Sequence, residues 1–148
     1  MILDKSNEFS DAQAVTASAI STNVIDHNPA NKNATVDIGT GEDVYLVVQV
    51  DQAAAAAGAA TVVITLESSA AAGLTSPTVH YTSASLALAD MTAGKELVKV
   101  KLPSGDYKRY LGVRFTVDTG PLTAGQFSAF LVKDIQTKQQ YKSGYTVL

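Results

Sequence analysis

The chain of 148 residues has no cysteine and no tryptophan, and its only histidines are His27 and His80. Without cysteine, neither a disulfide framework nor a thiolate metal site can form. The same absence suits any redox compartment and so assigns none. Two histidines would have to meet carboxylates by luck to make a zinc site. His80, on the parity of Thr78 and Thr82, is expected to face solvent. Charge is scarce as well: 17% of residues, with a formal net charge of -3. No basic cluster is longer than Lys108-Arg109, which argues against nucleic acid, whose phosphates call for a concentrated positive patch. No apolar run reaches the roughly eighteen residues of a membrane-spanning helix. The opening MILDKSNEFSDAQ carries Asp4, Lys5 and Glu8 with no apolar run behind them, unlike a signal peptide.

Sequence motifs for catalysis are equally sparse. Asp37-Ile38-Gly39-Thr40-Gly41 has Ile38 where an aspartic protease has a hydroxyl residue, and no second copy exists. Gly39-x-Gly41 is followed by a strand pattern, not by the third glycine and helix of a dinucleotide loop. Gly94-Lys95-Glu96 lacks the other elements of a phosphate loop, and there is no G-x-S-x-G elbow. Glu42, Asp43 and Asp51 flank one strand without the spaced ligands of a calcium loop. Asn33-Ala34-Thr35 is read as a chance glycosylation sequon. The chain is therefore expected not to be an enzyme and to need no cofactor, metal or small-molecule substrate.

What the sequence does contain is alternation. In EDVYLVVQVD, Val44, Leu46, Val48 and Val50 share one face, and in TVVITLE so do Val62, Ile64 and Leu66. ELVKVKLP places Val98, Val100 and Leu102 opposite Lys99 and Lys101. YKRYLGVRFTVDT places Leu111, Val113, Phe115 and Val117 opposite Gly112, Arg114, Thr116 and Asp118. A pleated strand sends successive side chains to opposite faces, so each stretch reads as half-buried strand. QFSAFLVKD is apolar on both parities and is expected to be covered on both faces. Weaker strands are expected at Gln13 to Ile20, Asn23 to Asp26, Pro77 to Ser83 and Ser85 to Ala89. Turns fall at NPANKN, GTGED, PSGD and DTGP. Lysines 95, 99 and 101, read as one face of one strand, suit a solvated edge that resists pairing.

The tract DQAAAAAGAA, 51–60, invites a helix. It is too short to hold one alone, Gly58 weakens it by roughly 1 kcal/mol, and strands flank it on both sides. It is read as a hairpin loop. A second small signal is the echo of MTAGKELV at 91–98 in LTAGQFSA at 122–129, one loop chemistry used twice before a strand.

These elements predict an all-β chain: a β-sandwich of about eight antiparallel strands in Greek-key order. Residues 1–12 are read as an extended N-terminal arm, 13–135 as the sandwich and 136–148 as a polar tail. Ile2, Leu3 and Phe9 on the arm, with Tyr141 and Tyr145 on the tail, are the candidate contact residues.

Four ordered segments carry a resemblance over roughly residues 1 to 136: MILDKSNEFSDAQAVTASAISTNVID, DIGTGEDVYLVVQV, LVKVKLPSGDYKRYLGVRFTV and LTAGQFSAFLVKDIQ. Together they resemble the capsid cement, or decoration, proteins of tailed phages, of the Bordetella short-tailed-phage type. The resemblance implies a jelly-roll-like fold, a homodimer, and a virion protein on the outer surface of the capsid that joins neighbouring major capsid protein subunits. It brings no catalytic residues. The competing expectation is a carbohydrate-binding module, for which Tyr81, Tyr107 and Tyr110 are the mid-chain aromatic candidates.

Overall fold

The computed structural model describes residues 4–27, 36–38, 41 and 43–135, with the backbone alone at 36–38. A 3-10 turn, Lys5–Asn7, is capped by Asp4, whose side chain accepts from the Ser6 amide. The strands that follow are β1 (Glu8–Ala14), β2 (Ala19–Ile20), β3 (Ile25–Asp26), β4 (Val36–Ile38), β5 (Tyr45–Ala55) and β6 (Thr61–Ser69). Then come β7 (Thr78–Thr82), β8 (Leu86–Ala87), β9 (Glu96–Lys101), β10 (Gly105–Tyr107), β11 (Tyr110–Asp118) and β12 (Ala124–Val132). No α-helix occurs among the described residues; a second 3-10 turn, Leu88–Asp90, follows β8.

One sheet has four strands in the order β1-β12-β5-β9. The other has six: β2-β11-β6-β7, with β3 beside β11 and β8 beside β6. All pairings are antiparallel. If β2 with β3 and β7 with β8 each count as one interrupted ribbon, eight ribbons remain besides the small β4·β10 ladder. In chain order they fall as 1-8-3-6 in one sheet and 2-7-4-5 in the other. That is the double Greek key of a jelly roll, the sandwich expected from the alternation.

The inward parity of each strand builds one core. Leu46 and Val48 of β5, Ile64 and Leu66 of β6, Phe115 of β11 and Phe127 of β12 are fully buried there. Gln13 closes one side of the roll: its amide donates to the Ile20 carbonyl at 2.9 Å, and its oxygen accepts from the Thr22 amide at 2.9 Å. The Asn23 amide donates to the Phe9 carbonyl at 2.8 Å on the same side.

The alanine tract is not a hairpin loop. β5 continues through Ala55, and β6 belongs to the other sheet, so 56–60 crosses the end of the roll. Backbone partners on both sides hold the tract extended. The Ala54 amide donates to the Met91 carbonyl at 3.0 Å and the Thr123 amide to the Ala55 carbonyl at 2.7 Å. Alanine permits this close approach, since a Cβ on Gly125 would already lie 3.4 Å from the Ala54 Cα. The two Thr-Ala-Gly segments are these flanking partners. Each begins with a buried apolar residue, Met91 or Leu122, and ends on a positive-φ glycine, Gly94 or Gly125.

The N-terminal boundary also differs from expectation. Glu8 pairs with Phe130 and Gln13 with Phe127, so the sandwich starts at Glu8 and not at residue 13. The reason is Phe9, whose ring has left water entirely for the core. β1 is bent by register shifts and by Ala12 at φ 45°. The β4·β10 ladder was not expected, and β10 begins inside the turn expected at PSGD: Gly105 faces Ile38 and Tyr107 faces Val36.

Candidate interaction surface

The described side-chain clusters lie on the two outer sheet faces and at one end of the roll. On the outer face of the four-stranded sheet, Val47, Phe130 and Val132 form a second apolar cluster, with Tyr45 and Ile135 packed at its rim. This is the double-sided burial expected of QFSAFLVKD. The 3-10 turn lies against β12, where Lys5 pairs with Glu8. Farther along the same face, Ser128 links two groups: its hydroxyl donates to Asp51 at 2.6 Å and accepts from the Ala12 amide at 2.9 Å. β9 borders this sheet, and its Lys101 pairs with Asp43. That contact raises the lysine above its ordinary value and lowers the carboxyl. Lys95 lies before the strand and reaches Asp90 at 3.2 Å, so it belongs to the turn and not to the strand face.

The outer face of the six-stranded sheet is organised by Glu67 and Arg114. The guanidinium donates to both carboxylate oxygens, at 3.1 and 2.9 Å, and to the Leu74 carbonyl at 3.2 Å. Leu74, at φ 48°, tucks over Gly112, where an added Cβ would come within 2.7 Å of its Cδ1. The loop after β6 is thereby folded onto the sheet.

At the end of the roll from which both termini leave, His80 stacks on Tyr107 with ring centroids 3.8 Å apart. Its Nε2 is 2.6 Å from the Ser68 hydroxyl. The expected solvent-facing histidine is thus turned inward. The bulge between Leu66 and Glu67 leaves His80 opposite no residue of β6 and reverses the facing of Thr78 and Val79, while Tyr81 and Thr82 keep theirs. Burial and Lys108 lower its pKa. Tyr107 is fully buried, its hydroxyl donating to the Pro103 carbonyl at 2.7 Å, and burial pushes it up to about 12. Arg109 forms a two-pronged pair with Asp26 at 2.9 and 2.8 Å and covers the Tyr110 ring at 4.8 Å. Of the three tyrosines a sugar platform would use, Tyr107 is buried, Tyr81 packs against the core and Tyr110 is covered.

Among the described residues no group of His, Asp and Glu converges as a metal site. Asp43 and Asp51 stand eight residues apart along extended chain, about 27 Å at the strand rise, too far to share an ion. Of the expected contact residues, Phe9 is a core residue with no exposed surface. Its neighbours Glu8 and Ser10 hide the signal, because a single aromatic between polar residues reads as an arm. Ile2, Leu3, Tyr141 and Tyr145 lie outside the described residues, as do Asn33 and Glu42. The outer cluster of Val47 and Val132 escaped selection as a contact face, although both-parity hydrophobicity had marked its strand.

The strand order defines an all-β protein of the jelly-roll class. The Bbp16 family model matches residues 9–131, the whole roll. The chain belongs to the Bbp16 family, named for a Bordetella phage protein. No curated protein matches it significantly.

Proposed function

We propose that this protein is a capsid cement protein, a homodimer that binds the outer surface of a phage shell and joins adjacent major capsid protein subunits. The observation that carries the reading is the family match across the entire roll, which gives the chain a phage origin. The sequence resemblance to cement proteins points the same way.

The geometry supplies a means. Glu8 and Phe130 are paired, so both chain ends leave the roll at one end, beside the Val47–Phe130–Val132 cluster. We place the contacts with the coat at this end, with Ile2 and Leu3 before the roll and Tyr141 and Tyr145 after it as the proposed contact residues. Two bodies joined by a two-fold axis present this contact end twice. Bivalent attachment raises the overall hold through effective concentration. Binding the assembled lattice better than its parts stabilises the lattice by mass action.

The test is co-sedimentation with expanded empty capsids, alongside a glycan array. Saturable capsid binding and greater capsid resistance to heat are expected. Glycan binding without capsid binding would replace cement with the carbohydrate-binding module.

A further inference from the structure

Across its bulge β7 carries one residue more than β6. Tyr81 faces Leu66 and Val79 faces Glu67, so His80 between them is the extra residue. Bulges re-aim a side chain, and this one sends His80 out of its own sheet. The imidazole lies flat on Tyr107 of β10, ring centroids 3.8 Å apart and planes inclined by 13°. β10 belongs to the two-stranded ladder, which stands apart from both main sheets. His80 thus ties a border of the roll to a strand outside its sheets.

A hydroxyl completes the junction. Ser68 Oγ, on β6 and with no exposed surface, lies 2.6 Å from His80 Nε2 and 3.0 Å from the Lys108 amide nitrogen. An amide can only donate, so the serine oxygen accepts there. Among the described residues the hydroxyl has no third partner, which leaves its own proton for His80. Nε2 then accepts, and the neutral ring carries its proton on Nδ1.

Protonation undoes this arrangement. An imidazolium donates from both nitrogens. Two donors would converge on Ser68, and its O–H would be left buried without an acceptor, a costly state for a polar group. The surroundings give the new charge nothing to pair with. Burial and the like charge of Lys108 both disfavour it. Glu67 of β6 is held by Arg114 through both carboxylate oxygens. Tyr107, pushed up to about 12, stays neutral. Asp106 is the next residue on β10 and alternates to the opposite side of that strand. The face of Tyr107 attracts a cation but takes no proton from Ser68.

We propose that His80 is a proton-operated latch: neutral, it clasps residues 107 and 108 to the roll through Tyr107 and Ser68, and protonated, it lets go of Ser68 and frees them. The closed latch favours the neutral ring. Closure is therefore complete above the ordinary histidine value near 6.5 and is lost as pH falls below it. The device belongs to the fold and stands apart from the cement reading.

Two measurements on the full chain decide it. Nitrogen chemical shifts of the neutral His80 ring should place its proton on Nδ1; a proton on Nε2 overturns the latch. Amide hydrogen exchange between pH 7.5 and 5, corrected for the intrinsic rate, reads the opening itself. Protection of the Lys108 amide should fall by about tenfold. The Val113 amide, also held by a serine hydroxyl but through Ser21, should keep its protection. His80→Gln still offers Ser68 an acceptor and does not titrate, so its Lys108 protection should not change with pH. An unchanged Lys108 amide in the wild type, an equal loss at Val113, or the same loss in His80→Gln overturns the latch. Should His80→Gln not fold, wild-type midpoints replace it: the ring titration of His80 and the loss of Lys108 protection must share one pH midpoint, and separate midpoints are equally decisive.

Discussion

Phe115 of β11 and Phe127 of β12 stack across the roll, ring centroids 5.5 Å apart and planes inclined by 26°. The two strands belong to different sheets, so this pair joins the layers at the centre of the core. Phe115→Ala is expected to cost about 3–5 kcal/mol, as for other buried aromatics. Chemical denaturation checks it. Because the rings touch, the cost of removing both should fall short of the sum of the single losses.

Glu67 and Arg114 give a second test. Glu67 keeps 5% of its side-chain surface exposed and Arg114 31%. Removing the arginine strands a buried carboxylate, so Arg114→Ala should cost about 3 kcal/mol. Lys101→Ala breaks a pair that lies in solvent and should leave the denaturation midpoint unmoved.

Gly112 lies under Leu74, whose Cδ1 would be 2.7 Å from an added Cβ. Gly112→Ala is expected to cost about 1–3 kcal/mol by overpacking. Adding Leu74→Ala should recover part of that loss, a non-additivity that thermal melts of the three variants would reveal.

His27 and His80 set a pH dependence. Burial holds both below the ordinary 6.5; Lys108 adds to the effect at His80, while Asp26 opposes it at His27. The His27 Nε2 is buried without a partner. The neutral forms are therefore favoured in the folded chain. Their contribution is complete above the unfolded value of about 6.5 and is lost as pH falls from there through the lowered folded values. Melting temperature should drop between pH 7.5 and 5.5, and the drop should shrink in a His27→Gln, His80→Gln variant.

The chain ends make the last prediction. Deleting residues 1–3 should weaken capsid attachment and leave the melt unchanged. Deleting 1–9 should also lower the melting temperature, because it removes Phe9 from the core. Undiminished binding by the shorter deletion would rule out an N-terminal arm.

Strands with strong alternation were readable from the residues. β5, β6, β9, β11 and β12 lie where Leu46, Ile64, Val98, Phe115 and Phe127 placed them. β1 was not readable, because its partner is β12, more than a hundred residues away, and its one aromatic looked like an arm residue. β4 and β10 are three residues each, and β10 opens on a glycine and an aspartate that look like a turn. The facing of His80 depends on a bulge that shows only once β7 is laid against β6.

By itself the sequence determined that this is an all-β chain, and which parity of each long strand enters the core. Both follow from the pleat, a property of neighbouring residues. The tertiary structure alone decided that Ala55 and Thr61 stand in different sheets, that Phe9 is interior, and that β7 is left as a border. Those outcomes depend on which distant strand supplies the hydrogen bonds, and no local period encodes that choice.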